Sequence, residues 1–92
     1  MFYVVVYDIT CDKRRKKVAD LLEGYGQRVQ YSVFECVLNR SQYQQLTKRL
    51  QKKINLEKDS IRIYSIVKSS LHKVQTWGAG KEVTKPSSST VI

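Results

Sequence analysis

The apolar positions of this chain fall into five blocks with two different periods. The first block, Phe2-Tyr3-Val4-Val5-Val6-Tyr7-Asp8-Ile9, is a run of β-branched and aromatic residues, the pattern of a strand covered on both faces. Thr10-Cys11-Asp12 follows as a short loop in which Thr10 or Asp12 is placed to cap a helix. Val18, Leu21, Leu22 and Tyr25 then recur at i, i+3, i+4 and i+7, one apolar stripe of a helix that Gly24 and Gly26 bring to an end. From Arg28 to Leu38 the pattern is extended, but the apolar phase moves from Val29, Tyr31 and Val33 to Phe34, Cys36 and Leu38. Strand side chains alternate between faces, so this switch requires a bulge, a bend or a tight turn, expected near Phe34 to Cys36. One strongly bent strand and two short strands both satisfy it. Ser41-Gln42-Tyr43-Gln44 has the form of a capping box and opens a second helix, with Tyr43, Leu46, Leu50 and Ile54 facing inward. Its outer positions Lys48, Arg49, Lys52 and Lys53 read as a solvated basic face. Asn55 to Asp59 forms a turn, and Ile61, Ile63, Tyr64, Ile66 and Val67 mark another strong strand.

With the middle segment split, the order is βαββαβ, an α+β ferredoxin-like sandwich with two helices on one face of an antiparallel sheet. The predicted domain is 1–68, followed by a C-terminal extension, 69–92. In that extension Trp77-Gly78-Ala79-Gly80 breaks the periodicity, 81–84 is a candidate short edge strand, and Pro86 to Thr90 is a Ser-rich tail. Helices on one face leave the other sheet face uncovered. Two chains stacking sheet on sheet would cover both, which predicts a two-fold homodimer.

Charge narrows the choice of partner. The 92 residues hold 17 Lys and Arg against 8 Asp and Glu, a formal net charge of +9, so nucleic acid is the first expectation and an anionic membrane surface the second. No apolar run approaches the roughly 18 residues needed to span a bilayer. The start, Met-Phe-Tyr-Val, lacks the cationic opening of a secretory signal. Cys11 and Cys36 have neither CxxC nor Cys/His spacing, which argues against a disulfide framework or zinc site. The expected compartment is the cytoplasm, with both thiols reduced.

Asp8 is the residue that most needs explaining. A carboxylate closing a buried strand is costly unless something compensates it. Five cations, Lys13 to Lys17, follow closely, in the first turns of the helix, where the macrodipole disfavours positive charge. Together they point to a metal-assisted phosphate site. The competing reading is that Asp8 ends the strand, caps a turn and pairs with a nearby arginine.

Three segments carry a resemblance: Tyr7-Asp8-Ile9, the basic helix ending in Gly-Tyr-Gly, and Arg28-Val29-Gln30-Tyr31-Ser32-Val33-Phe34-Glu35-Cys36. At this separation, over roughly residues 2 to 67, they resemble the CRISPR-associated Cas-two family, small core proteins of CRISPR adaptation. The resemblance implies a ferredoxin-like homodimer with Asp8 as catalytic residue and divalent-metal ligand, the two copies facing each other near the dimer axis. It implies metal-dependent endonuclease activity, on RNA in some members and duplex DNA in others. It also implies a central dimer bridging a CRISPR integrase, a scaffold role that needs no cleavage. Magnesium is the expected ion, since it takes hard oxygen ligands and keeps several waters. One carboxylate per chain is a poor site, whereas two Asp8 side chains across an axis could share an ion. Arg14, Arg15 and Arg28 are candidate phosphate ligands, Ser32 a candidate hydrogen-bond donor, and Tyr7, Tyr31 and Phe34 candidate stacking residues. Core or interface packing is the better reading for Tyr31 and an equal one for Tyr7 and Phe34. His72, the only histidine, reads as a surface residue rather than a general base. Duplex DNA and single-stranded RNA are the implied nucleic acids. The alternatives are a toxin-like metal-dependent ribonuclease of related fold and a non-catalytic RNA-binding domain.

Overall fold

The computed structural model describes residues 1–85; the Ser-rich tail predicted from Pro86 onward lies outside them. The elements are β1 (Phe2–Asp8), α1 (Asp12–Glu23), β2 (Gln27–Gln30), β3 (Val33–Val37), α2 (Arg40–Lys53) and β4 (Ser60–Ile66). A 3₁₀ turn over Lys68–Lys73 follows. The strands form one sheet in the order β2-β3-β1-β4, with every pairing antiparallel. This is the ferredoxin-like arrangement that the pattern predicts.

Strand alternation divides β1 between two environments. Val5 and Tyr7 point to the helices and join Val18, Ala19, Leu22, Phe34, Cys36, Leu46 and Leu50 in the core. Val4 and Val6 face the other way and remain half-buried, while Asp8 is exposed. On this second face β1 is sealed only at Phe2, buried beside the 3₁₀ turn and residues 83–85, and is open from Val4 onward, not covered throughout as its unbroken run of apolar residues implies. That open sheet face also carries Val33, Glu35 and Val37 from β3 and Arg62 and Tyr64 from β4, as the register requires.

The split between Arg28 and Leu38 is real, but its break lies at Tyr31-Ser32 rather than near Phe34 to Cys36. Gln30 pairs with Val33 across a two-residue turn, and a register shift falls between Arg28 and Gln30. The phase is obscured because Arg28, polar by letter, is on the helix side, with its guanidinium 5.3 Å from the centroid of the Phe34 ring. A long side chain lays its stem and planar head on apolar surface, so a residue counted as outward is inward.

Two local expectations shift by a residue or two, and a third is not met. The N-cap of α1 is Cys11, with no side-chain cap, rather than Thr10 or Asp12. The capping box of α2 is Asn39 with Gln42, not Ser41 with Gln44. Asn39 Oδ1 accepts from the Gln42 amide at 2.8 Å, and the Asn39 amide donates to Gln42 Oε1 at 2.9 Å. The chain leaves β3 at Leu38, and Asn39 is the first residue able to take the helical end, a position asparagine fills well. Finally, residues 81–84 form no strand in this chain. They lie against the open face instead, where the Thr84 amide and hydroxyl both donate to Glu35 Oε1 at 3.0 Å. Lys81 Nζ reaches the Arg28 carbonyl at 2.9 Å.

Candidate functional site around Asp8

β1 delivers Asp8 to the end of the open face, opposite Ser60 of β4. The side chain projects into solvent, so burial imposes no cost on it. None of the ion pairs among the described residues includes it. The reading in which Asp8 pairs with a neighbouring arginine fails for a specific reason: Arg14 and Arg15 are committed to other carboxylates, and Arg62, on the same sheet face, donates to Tyr64 Oη at 3.1 Å.

Arg14 donates from Nε to Asp59 Oδ2 at 2.7 Å and from Nη2 to Asp59 Oδ1 at 3.0 Å. The Asp59 side chain is fully buried, and its Oδ2 also accepts from the Asn55 amide at 2.8 Å. The Arg14 guanidinium holds the Asp59 carboxyl below the usual carboxylate range, with the Asn55 amide adding to the effect. Arg15 turns the other way. Its Nη1 donates to the Ile9 carbonyl at 2.9 Å, and its Nη2 pairs with Asp12. Lys16 Nζ binds Asp20 at 2.9 Å, one turn further along the helix. Three of the five cations that crowd the start of α1 are thus neutralised by aspartates, which offsets the macrodipole cost. Lys13 and Lys17 are exposed and belong to none of these pairs.

The aromatic candidates divide differently from expectation. Phe34 is fully buried and Tyr7 nearly so, their rings 6.3 Å apart in the core. Neither face is free to receive a base. Tyr31, expected to pack, is 70% exposed at the tip of the β2–β3 turn. The Arg15 guanidinium lies over its ring, 5.9 Å from the centroid, and Tyr7 Oη donates to the Tyr31 carbonyl at 3.3 Å. This guanidinium and ring form a planar pair that joins an arginine expected as a phosphate ligand to a tyrosine expected to pack in the core or an interface. The amide of Tyr7 donates to the Ser32 carbonyl at 3.1 Å, so Ser32 ties the turn to β1. Arg28 shares with Arg15 and Tyr31 a crevice of about 320 Å³ beside α1, which Asp12, Asp20 and Glu23 also line. Arg28 Nε is buried without a partner. The crevice has mixed charge, in contrast to a pure phosphate cradle.

His72 lies on the 3₁₀ turn and borders an apolar cavity with Met1 and Phe2. That is the far end of β1 from Asp8, about 20 Å away for a seven-residue strand, so His72 is no base for chemistry at Asp8. Among the described residues no group of three or more His, Cys, Asp or Glu side chains comes together to hold a metal ion. No helix among them is long and apolar enough to cross a membrane.

Fold and site together define a class: small ferredoxin-like proteins whose open sheet face ends in a free carboxylate beside a basic helix start. The family model described as CRISPR associated protein Cas2 matches residues 1–74, and the chain belongs to that family. A Synechocystis protein named CRISPR-associated endoribonuclease Cas2 3 is 53% identical over 90 residues, covering 98% of this chain and 97% of its own. The Streptococcus pyogenes Cas2 crystal structure matches with a TM-score of 0.76 and 38% identity, over 85% of this chain and 100% of that one. A chain of a partial Cas6-RT-Cas1–Cas2 complex matches with a TM-score of 0.73 and 34% identity, over 82% of this chain and 88% of that one.

Proposed function

We propose that this chain acts in CRISPR adaptation as the central dimer of a spacer-integration complex, binding duplex DNA through its backbone and bridging an integrase. The same protein carries a metal-dependent endonuclease site at Asp8, with RNA as the other substrate class. The observation that carries this reading is Asp8 itself, exposed at the end of an open sheet face and outside every ion pair of the described residues. Membership of the family and the likeness to a chain of a Cas1–Cas2 complex support the integrase as partner.

The open face supplies the reason to dimerise. Val4, Val6 and Val33 are half-buried in the single chain, and stacking a second sheet on them would remove their remaining apolar surface from water. Stacking about a two-fold axis places two Asp8 carboxylates at equivalent positions. The donor set fits a hard, water-rich cation such as Mg²⁺ as that pair, since one chain offers a single carboxylate. Bound there, such an ion would supply Lewis-acid polarisation of a phosphoryl oxygen and a water more readily deprotonated to the hydroxide that attacks phosphorus. The residues of the chain do the rest. Lys13 and Lys17 attract the phosphate backbone from the exposed start of α1. The Arg15–Tyr31 pair offers a flat surface, its guanidinium charge balanced by Asp12, on which an unpaired base stacks. This geometry reads backbone and shape, with no element aimed at base edges.

The test compares wild type with Asp8→Asn for spacer acquisition, in cells holding the cognate integrase and array. Acquisition abolished, with the variant still dimeric and integrase-bound, places the carboxylate in the mechanism. Acquisition retained while purified Asp8→Asn loses cleavage makes the protein a scaffold whose nuclease serves elsewhere. Metal-dependent cleavage persisting in the purified variant removes Asp8 from the chemistry.

A further inference from the structure

Arg14 looks like a phosphate ligand in the sequence, and in the structure its guanidinium is engaged within the chain. Its guanidinium is engaged through two nitrogens with a carboxylate 45 positions away. Asp59 is a poor place for an ordinary surface ion pair: its side chain has no exposed surface and accepts from three donors, two on Arg14 and one on Asn55. A buried carboxylate is tolerated when its oxygens are satisfied in this way.

The position of this pair matters more than its strength. Asp59 is the residue before Ser60, and Ser60 is the cross-strand partner of Asp8. Arg14 is in the first turn of α1, just past the loop that leaves Asp8. Arg15 closes the same loop from the other side, with Nη1 on the Ile9 carbonyl at 2.9 Å and, more weakly, on the Thr10 carbonyl at 3.4 Å. The α2–β4 turn is itself braced: Asn55 Oδ1 accepts from the Glu57 and Lys58 amides, and the Asn55 carbonyl from Asp59. The buried carboxylate and the forked cation thus tie the first turn of α1 to the head of β4, on either side of the three residues that connect Asp8 to α1, and Arg15 holds those residues directly.

We propose that Asp59 and Arg14 form a positioning pair for Asp8, fixing the Ile9–Cys11 loop so that the exposed carboxylate keeps one orientation without a contact of its own. This deepens the reading of the Asp8 site and rests on it for its functional half. The pair also keeps the Arg14 guanidinium on Asp59, so Arg14 is not available to Asp8.

The experiment uses the full chain and four proteins: wild type, Asp59→Asn, Arg14→Lys and the double variant. Arg14→Lys keeps the charge and removes the fork. Backbone hydrogen exchange at Ile9, Thr10 and Cys11 is expected to speed up about tenfold in each variant, while exchange at Val4 to Val6 stays near wild type. Metal-dependent cleavage is expected to lose about tenfold in kcat with little change in KM, and the double variant to be no worse than either single. The salt slope of duplex binding should not move in Arg14→Lys or in Asp59→Asn, because in this proposal the two groups serve each other and not phosphate. Unchanged exchange over residues 9–11 in folded Asp59→Asn overturns the proposal. So does an additive double variant, which shows two independent roles. If Asp8→Asn proves as active as wild type, the nuclease reading fails by itself, and the exchange comparison still decides whether the pair holds the loop.

Discussion

Two glycines, two residues apart, should respond to alanine in opposite directions. Gly26 begins the approach to β2, where an added Cβ would lie 2.3 Å from the Glu35 carbonyl oxygen, 2.5 Å from Cys36 Sγ and 2.9 Å from Cys36 Cα. Two of those three atoms are backbone, and Cys36 is fully buried, so no flexible tip can move aside. Against an ordinary contact of 3.4 Å the shortfall is about 1 Å, and the head of β2 must lift away from β3 by that much. Overpacking of this kind costs about 1–3 kcal/mol. The lift also disturbs the Gln27–Glu35 and Arg28–Phe34 pairings, which favours the upper half of that range. In a domain of this size about 1 kcal/mol moves Tm by roughly 4–8 °C, so Gly26→Ala should melt on the order of 10–20 °C lower. Gly24 is the internal control. It holds ordinary helical angles, and its added Cβ would meet only the Leu21 carbonyl oxygen, at 3.4 Å. Gly24→Ala removes unfolded-state freedom and should stabilise by about 0.4–1 kcal/mol. Thermal melts at matched protein concentration decide the matter, since association would shift both curves. A Gly26→Ala melting point within about 2 °C of wild type would refute the close-approach argument, because the clash would then have been relieved at almost no cost.

Replacing Lys13 and Lys17 together by glutamine should lower the log–log salt slope of duplex binding by about 0.9 for each phosphate no longer neutralised, measured by fluorescence anisotropy across a salt series. The Asp59 carboxyl is held below its ordinary value of 3.8 by the Arg14 guanidinium. Its contribution to stability is therefore complete above the unfolded value and disappears as pH falls through the lower, folded one. The Tm difference between wild type and Asp59→Asn should accordingly be widest at neutral pH and close in acid, below about pH 4; a difference independent of pH would count against the pair. The two thiols should differ sharply towards iodoacetamide in the native protein. Cys11, at the start of α1, has its thiol pulled down by the Arg14 and Lys13 amides, whereas burial pushes Cys36 up to about 11. Mass spectrometry should find Cys11 modified first, and modification of Cys36 only on unfolding.

The order of elements and most of the core are legible in the residues alone. Val18 and Leu22 on α1, Leu46 and Leu50 on α2, and Val5 on β1 are buried where the periods place them, because a helix and a strand each impose their repeat locally. Asp8 stands out in the same way, since its oddity is local: a carboxylate ending an apolar run beside a row of cations. Two of the three pairs that quiet those cations have a local spacing as well, for Asp12–Arg15 and Lys16–Asp20 stand three and four residues apart on one helix. Assigning Arg14 to Asp59 takes the folded chain, because the spacing of 45 residues is closed by the sheet register and not by any repeat. The same holds for the exchange of roles between Phe34 and Tyr31. Letters cannot say which of two aromatics three apart lies under the helices when a turn and a register shift separate them and Arg28 lies inward on Phe34. Period is a property of the backbone of each element, whereas a partner is chosen by where the chain crosses itself, and here that crossing decides which charges remain free around Asp8.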